Sequence, residues 1–161
     1  HLYKPLLTIP EPIIEDKEKV VLGLDGRKMS KSYGNVIPLL DDEKKLRKSI
    51  MKIVTNSLEP GEPKDSNDCT VFDLYKNFTD KEKITEFQNY YDDGISWGEA
   101  KEMLFNTINN ELKPIRSRYV ELIKDKDYIN DVLSDGSRKA RSIAKQKIKE
   151  IREVIGITNI S

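Results

Sequence analysis

Gly23-Leu24-Asp25-Gly26-Arg27-Lys28-Met29-Ser30-Lys31-Ser32-Tyr33-Gly34-Asn35 is the stretch from which the rest of the chain can be read. It sets two lysines, Lys28 and Lys31, and two hydroxyls, Ser30 and Ser32, close together, with Gly23, Gly26 and Gly34 around them. The apolar run Val20-Val21-Leu22 precedes it, and a helix start at Asp41-Asp42 follows. A loop of this content leaving a strand suits a polyphosphate. Ammonium groups act as point charges, serines donate hydrogen bonds, and glycine lets the backbone approach an anion. A charged loop that merely faces solvent has the same composition, and on composition alone that plainer reading is the better one.

Outward from this stretch the chain changes character. Residues 1–40 hold Pro5, Pro10, Pro12 and Pro38 and no helical periodicity. Ile13-Ile14 and Val20-Val21-Leu22 are candidate short strands, the second ending at the loop. From Asp41 the pattern is helical. Asp41-Asp42 can cap a helix with apolar positions at Leu46, Ile50, Ile53 and Val54. The run from Glu59 to Asp68 reads as a loop. Val71, Phe72, Leu74, Tyr75 and Phe78 mark a short helix. Thr79-x-x-Glu82 opens a helix carrying Ile84, Phe87 and Tyr91, with Gly94 as its stop. Ser96-x-x-Glu99 opens the longest helix, whose stripe runs through Trp97, Ala100, Leu104, Ile108, Leu112, Ile115, Tyr119 and Leu122. Pro114 should kink or interrupt it. Tyr128 to Leu133 reads as a short helix and residues 138–155 as the last, ending at Gly156.

Composition sets limits. At 161 residues the chain can bury one core, or one core with a docked appendage. Charged residues make up 35% and apolar ones 37%, which suits a soluble helical domain. Lys+Arg and Asp+Glu balance at 28 each, so any surface for nucleic acid must be local. No apolar run is long enough to span a membrane and the N-terminus is not signal-like, so no membrane partner and a cytoplasmic location are expected. Cys69 stands alone and reads as a small buried residue, and no Cys/His spacing suggests a protein-bound metal. No carboxylate pair sits in apolar surroundings that would suit acid–base work.

Lys28-Met29-Ser30-Lys31-Ser32 resembles the KMSKS signature of class I aminoacyl-tRNA synthetases. Ile50-Met51-Lys52-Ile53-Val54-Thr55-Asn56, the run from Leu112 to Tyr119, and the run from Leu133 to Arg141 follow in order. Together they look like the C-terminal half of bacterial-type tryptophanyl-tRNA synthetases, from about Pro10 to about Gly156. The tyrosyl enzymes share the loop, but their bacterial forms usually carry a further small RNA-binding domain, so tryptophan is favoured. The family's first signature, His-x-Gly-His, has no counterpart, since His1 is the single histidine. The expectation is therefore a fragment, inactive by itself, whose full-length form is a homodimer.

The resemblance implies a mainly α fold, with residues 1–40 a remnant of a Rossmann-like nucleotide-binding domain and residues 41–161 a helical tRNA anticodon-binding domain. It implies that Lys28 and Lys31 act catalytically on the ATP phosphates. Ser30 and Ser32 would donate hydrogen bonds, Met29 belongs to the same loop, backbone near Val20 lines the adenine, and Asp25 and Gly26 shape the loop. The partners implied are ATP with its Mg2+, tryptophan and tRNA-Trp.

Between Arg138 and Arg152 the last helix carries Arg138, Lys139, Arg141, Lys145, Lys147, Lys149 and Arg152 against one acid, Glu150, and reads as one basic face. A solvated face is the plainer reading; the resemblance raises a tRNA contact, with Arg138, Arg141 and Lys145 as candidates. Tyr90, Tyr91 and Tyr128 are candidates for stacking on unpaired bases. Trp97 is most simply a packing anchor. A rival reading from another class is a non-catalytic helical module for RNA or protein in which the loop is vestigial.

Overall fold

A computed structural model describes residues 5–13, 20–67 and 69–157. Its elements are α1 (Glu43–Met51), α2 (Thr70–Lys76), α3 (Lys81–Asp92), α4 (Trp97–Leu122) and α5 (Lys126–Ile155), with one 3-10 turn at Lys31–Tyr33. The class is mainly α, as the sequence indicates. Two compact units emerge from the contacts: Glu15–Val120, and His1–Ile14 together with Glu121–Ser161.

The first unit is built on capped amphipathic helices. The Asp42 carboxylate accepts from the Lys45 amide at 2.9 Å and starts α1, which buries Leu46 and Ile50. The helix ends at Met51, so the spacing that should have buried Val54 is lost and Val54 is 72% exposed. In α2, Val71, Phe72, Leu74 and Tyr75 are all buried within seven residues. Its Phe72 and Tyr75 meet Phe87 of α3, with ring centroids 5.5 and 4.1 Å away. Phe87 also meets Tyr91 at 4.9 Å, and Tyr91 meets Trp97 at 5.8 Å, both edge-on. Such offset and edge contacts add to area burial. Cys69 is buried as expected, its sulfur 3.4 Å from the Tyr91 hydroxyl.

One cap differs from the sequence reading. The start of α3 is capped by Asp80, whose carboxylate accepts from the Lys83 amide at 3.0 Å, not by Thr79 paired with Glu82. A carboxylate suits the positive end of a helix better than a hydroxyl, and the Thr79 hydroxyl is left buried without a hydrogen-bond partner among the described residues. At the other end, Gly94 (φ 81°) donates to the Tyr91 carbonyl at 3.1 Å. A Cβ there would lie 2.4 Å from the Gly61 carbonyl carbon, so backbone approach as well as dihedral demands glycine.

The capping box at α4 is present: the Glu99 amide donates to the Ser96 hydroxyl at 3.2 Å, and the Ser96 amide to the Glu99 carboxylate at 3.2 Å. The helix buries Ala100, Leu104, Phe105, Ile108, Asn109 and Leu112. Beyond Leu112 the stripe continues in sequence but not in burial, with Ile115 53% and Tyr119 40% exposed. Pro114 does not interrupt α4, which continues to Leu122. Proline removes one amide donor, while the turns on either side keep theirs.

In the second unit, α5 is a single 30-residue helix, longer than the 26-residue α4. The sequence reading placed a break around Ser134-Asp135-Gly136-Ser137. Asp135 instead pairs with Arg138 and, at 2.7 Å, with Lys139, three and four residues on. One interior glycine costs about 1 kcal/mol, less than nucleating a second helix. Asp125 caps α5 through the Tyr128 amide at 2.9 Å, and Gly156 (φ 77°) ends it. No α5 residue is buried.

The expected strands do not form among the described residues. Val20–Leu22 contributes a single antiparallel bridge, Leu22 to Lys28, because a lone segment with no neighbouring strand has no ladder to complete. Ile13 is in no strand, and Ile14 lies outside the described residues. No described helix is long and apolar enough to cross a membrane.

Candidate functional site

The residues from Val21 to Met29 form a tight turn. The Met29 amide donates to the Val21 carbonyl at 2.8 Å, and inside it the Gly23 amide donates to the Arg27 carbonyl at 2.7 Å. The turn is tied to the helical body, since the Val54 amide, past the end of α1, donates to the Leu24 carbonyl at 3.4 Å. Met29 packs against the core.

Asn35 holds the loop from within. It is 3% exposed. Its carbonyl oxygen accepts from the Ser30 amide at 2.7 Å. Its side-chain NH2 donates to the Asp25 carboxylate at 2.7 Å and to the Lys28 carbonyl at 3.2 Å. Its backbone carbonyl accepts from the Leu24 amide at 2.9 Å. Gly23 lies against it: a Cβ at 23 would stand 2.4 Å from the Asn35 side-chain amide. The Asn35 and Arg27 hydrogen bonds hold the Asp25 carboxyl down to about pKa 2. Arg27 grips Asp25 at 2.8 and 2.6 Å and stands 5.0 Å over the Tyr33 ring. The expectation that Asp25 shapes the loop thus has a concrete form.

The outer side of the loop carries its lysines and hydroxyls. The Ser30 and Ser32 hydroxyls meet at 2.8 Å. Lys28 and Lys31 are exposed, and neither ammonium has an ion-pair partner among the described residues. Two uncompensated cations beside two hydroxyls form a polyanion-attracting edge. Val20 is 52% exposed. With Leu22, Asp73, Leu74, Lys76, Asn77 and Ile84 it lines an open groove of ≈ 680 Å³. Leu22 links this groove to the loop through its bridge to Lys28. No group of three or more His, Cys, Asp or Glu among the described residues could hold a metal ion.

On α5 the basic residues separate. Arg138, Arg141, Lys145, Lys149 and Arg152 follow three- and four-residue steps and line two grooves of ≈ 750 and ≈ 590 Å³ that share Arg141 and Lys145. Lys139 and Lys147 leave this face, which corrects the single seven-residue face read from the sequence. Lys139 pairs with Asp135, and Lys147 with Glu150 at 2.6 Å. Of the tyrosines, Tyr91 is fully buried and cannot stack on a base, whereas Tyr90 and Tyr128 are 41% and 50% exposed. Trp97 is an anchor: its ring NH donates to the Asn56 side chain at 3.0 Å, and the Lys64 ammonium lies 5.4 Å over it.

Asn35 is the site residue that sequence reasoning missed. An asparagine after Gly34 signals a turn, and nothing local reveals that its side chain is buried.

A family model described as tRNA synthetases class I (W and Y) matches residues 2–113. A tryptophan–tRNA ligase of Neisseria meningitidis serogroup A is 45% identical over 157 residues, covering 98% of this chain and 47% of the relative. One from Pseudomonas aeruginosa is 43% identical, covering 99% of this chain and 36% of the relative. The crystal structure of Campylobacter jejuni tryptophanyl-tRNA synthetase complexed with ADP and tryptophan superposes with a TM-score of 0.82 at 38% identity, over 94% of this chain and 48% of that one. The chain thus spans about half the length, or less, of these relatives. With its loop, its helices and a family match over most of its length, this chain belongs to the class I tRNA synthetases of the W and Y type.

Proposed function

We propose that the chain is the C-terminal part of a cytoplasmic, homodimeric tryptophan–tRNA ligase, which activates tryptophan with ATP and transfers it to tRNA-Trp. Residues 1–40 supply the phosphate loop of the catalytic domain, and residues 41–161 supply the tRNA-recognition region. The observation that carries the reading is the pair of uncompensated lysines, Lys28 and Lys31, flanking the Ser30–Ser32 contact. In adenylate formation the tryptophan carboxylate attacks the α-phosphate and pyrophosphate departs. Negative charge grows on the leaving group, and cations placed there stabilise the transition state more than the ground state. Ser30 and Ser32 each have a hydroxyl to offer the same oxygens once their mutual contact opens. Mg2+ arrives on the ATP, held by phosphates and water. The groove beside Val20 and Leu22 is the place for the base. Arg138, Arg141 and Lys145 on α5 meet tRNA phosphates, joined by Lys149 and Arg152 from the same face.

Lys31→Ala in the full-length enzyme is the direct test. Loss of a charge contact made in the transition state costs about 3 kcal/mol, on the order of a hundredfold in rate. Tryptophan binds without that charge, so its Kd should scarcely move. Pyrophosphate exchange measured beside equilibrium tryptophan binding reads both. Equal losses in the two would mean that Lys31 supports the fold rather than the chemistry.

A further inference from the structure

We infer that Asn35 is a positioning residue for adenylate formation, a buried pin that sets where Lys28, Ser30 and Lys31 stand. The inference rests on the reading of the loop as the ATP-phosphate site. One side chain engages three points of the loop. It accepts from the Ser30 amide at 2.7 Å, donates to the Lys28 carbonyl at 3.2 Å and donates to Asp25 at 2.7 Å. Ser30 and Lys28 are thereby fixed by their backbones, while outside the Lys28 ammonium has no ion-pair partner among the described residues and the Ser30 hydroxyl meets only that of Ser32 at 2.8 Å. Lys31 opens the 3-10 turn that begins at Ser30, where the Tyr33 amide donates to the Ser30 carbonyl at 3.1 Å, so its direction follows from the same anchor. The cavity for the pin exists because residue 23 has no side chain. Asn35 touches no reacting atom; it acts through the residues it holds.

The chemistry of the pin is specific. Asparagine offers one acceptor and two donors at once, and this position uses all three. Alanine removes them all. Aspartate keeps the acceptor toward Ser30, loses both donors and sets a second carboxylate against Asp25. The charged groups facing position 35 are Asp25 and, through it, Arg27; Lys28 presents its backbone carbonyl. Exchanging the partners, Asn35→Asp with Asp25→Asn, restores one donor–acceptor pair in reverse, since the amide at 25 can donate to the carboxylate at 35. Arg27 loses its ion pair in that variant, a small cost at an exposed site.

The experiment is steady-state pyrophosphate exchange with full-length enzyme, with ATP varied and with equilibrium tryptophan binding and thermal melting alongside. Asn35→Ala should lower kcat at least tenfold, with the KM for ATP changed less than threefold and the Kd for tryptophan unchanged. Asn35→Asp should fall further, and the exchanged double variant should recover at least fivefold over it. A purely structural role would instead lower melting temperature and tryptophan affinity together, without recovery in the double variant, and would overturn the inference. Lys31→Ala in the same assay separates the two levels. If Lys31→Ala is impaired and the Asn35 variants are not, Asn35 has no positioning role. If Lys31→Ala retains full activity, the phosphate-site reading itself falls.

Discussion

The two long helices teach different lessons about the same kind of sequence. Each carries apolar residues at three- and four-residue steps. In α4 that stripe buries Ala100, Leu104, Ile108 and Leu112 against α2 and α3 aromatics and α1 aliphatics gathered into one core. In α5 the comparable positions Ala140, Ala144, Ile148, Ile151 and Ile155 bury nothing fully, and Ile143 is 74% exposed. Amphipathic periodicity states which face a helix can bury; whether it does depends on what lies opposite. The same contrast divides the loop. Asn35 and Gly23 work inward, while Lys28 and Lys31 are left facing out.

The sharpest way to break the comparison is to truncate one residue of each kind. Phe87→Ala should cost about 3–5 kcal/mol, since it removes the ring against which three aromatic partners, Phe72, Tyr75 and Tyr91, pack. Ile143→Ala on α5 should stay within about 0.5 kcal/mol. Urea unfolding of both variants checks the pair, and equal costs would mean that α5 is packed far more tightly than its exposure indicates.

Removing charge from α5 sharpens the other half. Arg141→Ala with Lys145→Ala in the full-length enzyme should reduce the slope of log affinity for tRNA against log salt by about 2, one for each lost phosphate contact. An unchanged slope would leave the stripe a solvated face. A smaller effect tests the continuity of α5. Gly136 is exposed, with nothing within 4 Å of a built Cβ. Gly136→Ala should therefore stabilise the helix by about 0.5–1 kcal/mol, seen as higher melting temperature and more helical circular dichroism. A loss of helicity would restore the break near residue 136.

The smallest expected effect concerns the loop's inward side. Because the folded Asp25 carboxyl titrates at about 2, below its ordinary 3.8, its contribution to loop stability is complete above about pH 4 and is lost as pH falls toward 2. A carboxyl carbon NMR titration should place its midpoint near 2. Asn35→Ala should move that midpoint up, because the amide hydrogen bond is the largest cause of the depression.

Much of this was legible locally. Asp42, the Ser96–Glu99 box and Gly156 did at the helix ends what their residue types allow, because a cap is an interaction among neighbours within four residues. Thr79 and the Ser134–Ser137 stretch misled for the complementary reason: each is a plausible local signal outcompeted by an adjacent one, Asp80 in the first case and the Asp135 pairs with Arg138 and Lys139 in the second.

The sequence by itself determined the helical grammar after Asp41, the basic, hydroxyl-bearing character of residues 28–32 and, through their spelling, the family. Only the tertiary structure decided which stripes are covered, why α4 stops burying at Leu112, and how Lys64, in a loop that reads as solvated, comes to be 2% exposed. Its ammonium is satisfied by the Glu59 and Glu62 carbonyls at 3.0 and 2.9 Å and by the Trp97 ring. It decided, too, that Asn35 faces inward. The physical reason is common to all four: caps and turns are settled by residues within one turn of chain, whereas burial is settled by partners tens of residues away, whose arrival no local pattern encodes.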